Sequence, residues 1–356
     1  MSCGDDASWG TDRVSVVLTG GCGLVGANLL RRLLADDPER ALVVVDLSAP
    51  DELLRQFLGA DLARARFIEA DVSDAAALAS ALAEVEPASV EAVVHAAVLD
   101  NVPEWEREEP RAYIDVNVGG TVNLLEWARS LPALAAFVYI SSGSVYGEPT
   151  PGLSDAPQHE DGPLNPPEFY AVTKYFAEHV TRRYGELFGL DVRQVRLSGV
   201  YGPMERPTAG RKSMSPVHAL ARSLATPHPL RITARTLDSV GDYVSAEDVA
   251  DGLVRLLASH HPGYPVYNLA DGRLTTFREL LGLFAKAGGA VTVEVVDDAA
   301  DADLDLDPAN RLARWNAYDI ARARSDLGWS PRPLSEQVSS YLSWLGNEDV
   351  RRCLAG

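Results

Sequence analysis

Short apolar runs alternate with stretches of helical spacing through residues 14–197. Residues 14–18 form a β-branched run that ends in a glycine cluster. Residues 24–35 then repeat apolar side chains at helical spacing, with Arg31 and Arg32 on the other face. Buried-strand patterns recur at 42–45, 67–70, 92–95, 136–140 and 192–197, and helical patterns at 74–84, 112–130 and 168–188. Apolar strands alternating with helices predict βαβ units and a parallel sheet covered on both faces. Right-handed crossovers make that sheet doubly wound.

After Tyr201 the pattern breaks. Residues 202–211 are rich in Pro, Gly and charge and read as a loop. The strand-like 242–245 and the helix 246–258 read as a return to the sheet. A strand at 266–269, a helix at 274–287, a strand at 291–296 and an amphipathic helix at 334–345 follow. The expected fold is α/β: a Rossmann doubly wound parallel sheet with a smaller discontinuous α/β substrate lobe. The Rossmann domain takes 12–200 plus 241–270, and the lobe 201–240 plus 271–345.

The glycine cluster carries the first chemistry. Gly20, Gly23 and Gly26 lie in TGGCGLVG, after the first strand and at the start of the first helix. Gly20 permits the tight turn, Gly23 lets a pyrophosphate approach the backbone, and Gly26 lets the helix pack closely. The loop amides, through Leu24 and Val25, and the positive end of the helix dipole would hold the phosphates. Asp46 ends the second strand, 20 positions past Gly26. A carboxylate there accepts ribose hydroxyls and repels a 2′-phosphate, which favours NAD over NADP.

Tyr170 and Lys174 are four apart near the start of a helix and so share a face. The ammonium is expected to stabilise phenolate and lower the tyrosine pKa, so that the phenol can exchange a proton with a substrate oxygen. Ser142 closes the fifth strand, on the edge of the sheet where ligands bind. His95 reads as a buried strand-end residue.

Composition narrows the partners. The net charge of −19 over 356 residues repels phosphate backbones and argues against nucleic acid. Cys3, Cys22 and Cys353 show no metal-ligand or disulfide spacing and fit a reducing cytoplasm. The polar, acidic residues 1–11 do not resemble a signal peptide, and no apolar run has the length of a membrane span. The aspartates of 297–307 echo a calcium loop, but Leu306 stands where its glycine is needed and Leu312 where its closing glutamate is needed. The segment is expected to be a solvated acidic loop, and no metal is expected.

In combination these motifs resemble the extended short-chain dehydrogenase/reductase superfamily, in its NAD-dependent epimerase/dehydratase branch. The likeness runs from Val14 to about Leu342. Besides the glycine loop it rests on Asp71-Val72, VVHAA at 93–97, NVGGT at 117–121, SSGSVYG at 141–147, YAVTK at 170–174 and RLSGVYGP at 196–203. DYVSAEDVA at 242–250, YNLADG at 267–272 and LGWSP at 327–331 are further landmarks. The resemblance implies that Asp71 and Val72 meet adenine, and that Ala96, Ala97 and Val200 line the cofactor path. It implies that Asn117 supports the site, and that Ser142, Tyr170 and Lys174 are catalytic. Lys174 would also hold the nicotinamide ribose. It further implies a homodimer through the two long helices.

Departures from the pattern shape the expected reaction. Dehydratases of the family carry an Asp-Glu pair where this chain has Gly143 and Ser144, so dehydration is not expected. Gly199 and Gly241 replace an Asn and an Arg that grip a diphosphate. Arg206, Arg211, Lys212, Arg231, Arg235, Arg322 and Arg324 are left as candidate anion contacts. The expected substrate side is Ser142, Gly143, Ser144, Gly199, Arg206 and Arg211. The expected reaction interconverts a secondary alcohol and a ketone on a polyhydroxylated, anionic, sugar-like small molecule. Nucleotide-sugar 4-epimerisation and a non-catalytic NAD sensor are the alternatives.

Overall fold

The computed structural model describes residues 14–147, 156–289, 291–306, 316–347 and 350. Its strands are β1 (Val14–Thr19), β2 (Ala41–Asp46), β3 (Ala65–Glu69), β4 (Ala92–His95), β5 (Ala136–Ser142) and β6 (Val192–Leu197). The later strands are β7 (Gly199–Tyr201), β8 (Leu230–Thr233), β9 (Val240–Ser245), β10 (Val266–Leu269), β11 (Leu274–Thr276) and β12 (Val293–Val296). Seven of them pair in the order β10-β6-β5-β4-β1-β2-β3, all parallel. The strand order reverses at β1, which opens a crevice at the carboxyl ends of β1 and β4.

Both faces of this sheet are covered, as its unbroken apolar strands require. Leu18, Val44, Val94 and Val138 point to one core, which also takes Leu29, Leu30 and Leu33 of the helix Leu24–Asp36. Val17, Val43, Val93 and Phe137 point to the other, with Leu78, Leu124, Leu125 and Ala177 from helices on the opposite face. Each such side chain, taken fully out of water, contributes about 1.5–3 kcal/mol. One-residue alternation between two apolar faces thus fixes the register.

Four segments differ from expectation. The strand at 242–245 does not return to the main sheet: β9 pairs in parallel with β7 and antiparallel with β11. Only the following helix, Ala246–Ala258, comes back, packing on the helix Leu24–Asp36. The edge next to β6 is taken by β10 instead. The expected helix at 274–287 begins as β11, and its helical part is Phe277–Lys286, started by a capping box between Thr276 and Glu279.

The expected helix at 112–130 is three pieces: an α-turn Pro110–Tyr113, a π-helical segment Ile114–Gly119 and the α-helix Gly120–Ala128. The wide turn holds Asn117, whose partners are described below. The acidic stretch is also less solvated than expected. Asp303 accepts from the Arg231 amide, and Asp305 binds Thr233 and Arg235, which ties this segment to β8 and the turn after it.

Candidate active site

The loop from Gly20 to Gly26 is built by backbone crowding. Gly20 has φ +72°, and a Cβ there would lie 2.6 Å from the Ala97 nitrogen. A Cβ on Gly26 would run into the Gly20 carbonyl, so the close approach at this position is to the loop itself. At Gly23 a Cβ would meet only the Gly20 oxygen, at 3.4 Å. That position is therefore open, and Gly23 caps the helix Leu24–Asp36 without a side chain. A turn with room beside free helix N-terminal amides fits a pyrophosphate. Leu24 is buried and Val25 half-buried.

Asp46 stands at the end of β2, and its carboxylate accepts from the Cys22 amide at 2.9 Å and the Ser48 amide at 3.3 Å. Burial raises its pKa, an effect these amides offset only in part. Asp71 is exposed and accepts from the Ser73 amide and hydroxyl, while Val72 is buried against Gly120. Ala96 and Ala97 hang from Thr19 through its carbonyl and hydroxyl. His95 is buried, with its ring nitrogens on Thr19 (2.7 Å) and Thr121 (3.1 Å). Desolvation, with a smaller effect of Lys174, lowers its pKa to about 3. It has the surroundings of a neutral structural residue.

Asn117 is buried and clasps Leu99 from both sides: its oxygen accepts from the Leu99 amide (2.8 Å) and its nitrogen donates to the Leu99 carbonyl (3.2 Å). It also donates to Thr173 Oγ1 at 3.0 Å, and that hydroxyl donates to the Tyr170 carbonyl. The π-helical turn thereby connects the loop after β4 to the helix Phe169–Phe188, which carries Tyr170 and Lys174.

Ser142, Tyr170 and Lys174 meet at the carboxyl end of β5. Burial raises the Tyr170 pKa and Asp100 adds to this; a hydrogen bond with the Ser142 side chain and the charge of Arg211 act the other way. The expected lowering by Lys174 is not the arrangement found. The Lys174 ammonium, itself buried, donates to the Ile140 carbonyl and lies 4.5 Å from the centre of the Tyr139 ring. A buried ammonium needs an acceptor, and the β5 carbonyl supplies one. Desolvation brings Lys174 down to about 7.

Sequence reasoning missed Asp100, Glu205, Asp242 and Tyr318 around this trio, and named Arg211. Asp100 and Arg211 pair at 3.6 Å, and Arg211 reaches the fully buried Glu205 at 3.1 Å. Tyr318 lies where a side chain on residue 143 would be, and its ring packs edge-on against Tyr146 at 5.7 Å. Asp242 holds Tyr318 by accepting from its amide (3.2 Å) and from the amides of Asp271 and Gly272. Burial raises Asp242 to about 6. Asp100 alone had a local cue, its place five residues past His95.

With the loop, the Asp46 carboxylate and the Ser-Tyr-Lys trio in place, comparison with known proteins becomes informative. The NAD dependent epimerase/dehydratase family matches residues 16–270. The chain belongs to this family. It is thus an NAD-dependent enzyme of the extended short-chain dehydrogenase/reductase type. A UDP-glucose 4-epimerase of Mycolicibacterium smegmatis is 32% identical over 341 residues, 93% of this chain and 98% of that one. A GDP-6-deoxy-D-mannose reductase of Pseudomonas aeruginosa is 32% identical over 273 residues, 74% of this chain and 82% of that one. The UDP-glucose 4-epimerase of Thermus thermophilus, crystallised in complex with NAD, superposes with a TM-score of 0.74 at 26% identity. It covers 94% of this chain and 100% of that one.

Within this family member the candidate anion contacts are largely committed. Arg206 bonds the Cys22 carbonyl (3.2 Å), the Met204 carbonyl (3.1 Å) and Asp51 (2.7 Å), which places it on the nucleotide loop. Arg231 pairs with Asp301, Arg235 with Asp305, and Arg322 with Glu160 and Asp161. Arg324 donates to Ser330, and Lys212 lies over the Trp105 ring. Gly199 and Val200 lie in β7 and are half-buried; Gly199 backs onto the Asp242 carbonyl. Ser144 Oγ is buried with no hydrogen-bond partner among the described residues.

Proposed function

We propose that this enzyme interconverts a secondary alcohol and a ketone on a nucleotide sugar, with Tyr170 as the acid/base group. The observation that carries the reading is the interaction of the Ser142 side chain with Tyr170 at the carboxyl end of β5. The sugar is the polyhydroxylated part of the substrate and the diphosphate its anionic part. The curated relatives act on nucleotide sugars by name, which supports the substrate class.

The loop amides of Gly20 to Gly26 would hold the NAD pyrophosphate, and Asp46 the adenosine ribose. Asp71, Val72, Ala96, Ala97, Asn117 and Val200 would line the remaining path. Bound NAD supplies a hydride acceptor and, once reduced, a hydride donor. In the oxidative direction Tyr170 acts as phenolate, its own proton having passed to solvent, and its Oη takes the proton of the substrate hydroxyl as the carbonyl forms; in the reverse direction the phenol returns that proton. Ser142 orients that oxygen and the phenol together. Lys174, whose ammonium rests on the Ile140 carbonyl, would hold the nicotinamide ribose.

Gly143, Ser144 and Gly199 form the sugar side of the site, with Arg211 beside it. Neither Gly143 nor Ser144 can act as a carboxylate acid or base, and Tyr318 fills the space beside Gly143. Elimination of water therefore lacks its catalytic groups. Inversion at C4 remains a second reading, favoured by the 4-epimerase that aligns with 93% of this chain. A sensor without turnover is disfavoured because the trio is intact.

We also assign the cytoplasm as location, and the division of the chain into 12–200 plus 241–270 and 201–240 plus 271–345. A homodimer through the helices around 110–128 and 169–188 is supported by Ile114, Val172 and Phe176, which expose 47%, 41% and 54% of their surface.

The test is incubation with NAD and a panel of UDP-, GDP- and dTDP-sugars and free sugar acids, followed by NADH absorbance and chromatography of products. Net NADH supports a dehydrogenase, and an inverted sugar without net NADH supports an epimerase. Binding of NAD with no product from any member of the panel would overturn both and favour the sensor.

A further inference from the structure

Cys22 stands at the tip of the nucleotide loop, between Gly21 and Gly23. Its backbone is gripped at both ends by side chains from elsewhere in the chain. Its amide donates to Asp46, at the end of β2, at 2.9 Å. Its carbonyl accepts from the Arg206 guanidinium, in the turn after β7, at 3.2 Å. A residue whose two flanking peptide planes are both held has both of its soft dihedrals fixed. Glycine on either side gives the tip little stiffness of its own, so the two grips set its shape.

Arg206 is itself firmly held. Its other two nitrogens donate to the Met204 carbonyl (3.1 Å) and to Asp51 (2.7 Å). Asp51 is fixed in turn, accepting from the Leu54 amide (2.8 Å) at the start of the helix Glu52–Leu58. Only 14% of the Arg206 side chain is exposed. The turn that carries it is anchored to the helix Leu24–Asp36, where the buried Asn28 donates to the Pro203 carbonyl at 2.8 Å. Met204 is buried with φ +71°, a left-handed conformation uncommon outside glycine. Such backbone persists only where its surroundings over-determine it. One residue, Gly23, separates the Cys22 carbonyl from the helix amides that begin at Leu24, and its Cβ position is open.

We infer that Arg206 is a positioning residue for the cofactor: from outside the glycine loop it holds Cys22 in the conformation that presents the helix amides to the NAD pyrophosphate. Asp46 secures the same residue from its amide side. A loop ordered before NAD arrives spares the binding step that loss of entropy. Each of the three guanidinium nitrogens of Arg206 already has an acceptor within the protein. The expected role of Arg206 as a substrate-anion contact therefore gives way to one on the cofactor side. The inference rests on the reading of the glycine loop as the pyrophosphate site, and it requires no particular sugar.

NAD affinity is measured by calorimetry on the full-length protein for the parent, Arg206→Met, Arg206→Lys and Gly23→Ala, with unfolding midpoints to establish that each is folded. UDP-glucose is then titrated into the NAD-saturated proteins as a probe of the sugar side. Arg206→Met is expected to weaken NAD binding at least about tenfold. Arg206→Lys, which keeps a charged donor, should recover part of that loss. UDP-glucose should bind the NAD-loaded parent and Arg206 variants within about twofold of one another. An arginine that only supports the fold would lower the midpoint and both affinities together. If the methionine variant does not fold, the lysine variant decides, since it too should bind NAD more weakly than the parent. Unchanged NAD affinity in the folded Arg206 variants, or a loss on UDP-glucose in place of NAD, overturns the inference. If Gly23→Ala alone weakens NAD, the loop reading stands and only the role of Arg206 falls; if Gly23→Ala also binds NAD as the parent does, both fall.

Discussion

The ring of Tyr318 lies in the space that a side chain on Gly143 would need. Position 143 is where a carboxylate would have to stand for this site to eliminate water, and the phenol ring excludes it. Tyr318 is held from behind by Asp242, so it has little freedom to retreat. Gly143→Asp is therefore expected to create no dehydratase. It should lower stability by about 1–3 kcal/mol through overpacking, read by thermal unfolding with NAD absent. A variant as stable as the parent would mean that Tyr318 can swing aside.

Tyr170→Phe removes the proton donor and little volume. Turnover should drop by about 10²- to 10⁴-fold with NAD affinity unchanged. Ser142→Ala should show a smaller loss in kcat, since the serine acts beside the phenol. Steady-state kinetics with calorimetric NAD titration separates these effects. Undiminished turnover by the phenylalanine variant would remove Tyr170 from the mechanism.

The glycine loop offers a contrast between neighbours. Gly26→Ala places a methyl against the Gly20 carbonyl, so both fold stability and NAD affinity should fall. Gly23→Ala meets nothing closer than 3.4 Å, so the fold should tolerate it. Its methyl would still occupy the approach to the helix amides, and NAD should bind more weakly. Unfolding midpoints alongside NAD dissociation constants decide this, and equal NAD affinity in Gly23→Ala and the parent would place the pyrophosphate elsewhere.

His95 makes stability depend on acid. Desolvation holds its folded pKa at about 3, below the 6.5 of a free imidazole. The unfolded chain binds the proton first, so the stabilisation is complete above pH 6.5 and is lost as pH falls toward 3. The slope from this one group approaches about 1.4 kcal/mol per pH unit. Denaturant unfolding across that range should show it, and His95→Asn should flatten the curve. A parallel curve for the variant would show that other groups dominate.

What could be read from the chain alone was local. The turn at Gly20, the carboxylate at Asp46 and the Tyr170–Lys174 spacing each sit inside one contiguous motif whose geometry dictates its residues. Asp100, Glu205, Asp242 and Tyr318 escaped because each reaches the site only through tertiary approach, which even the landmark around Asp242 does not reveal. The direction of Lys174 escaped for a related reason. Helical spacing places it on the face of Tyr170, but the acceptor for its ammonium belongs to β5. The strand Leu274–Thr276 was obscured by a helical apolar pattern, although the Thr276–Glu279 cap marked where the helix starts.

The π-helical segment Ile114–Gly119 sets a limit on how this protein can change length. Before it, Tyr113 is pinned under Asp100 and Val102; after it, Thr121 is fixed on His95. Dropping one residue between those anchors would allow a regular helix, but it would rotate one end against the other by about 100°. Asn117 and Thr121 could not then keep their partners while Tyr113 kept its own. Insertions and deletions that most surface helices absorb are closed to this one, and its length is tied to the helix that carries Tyr170.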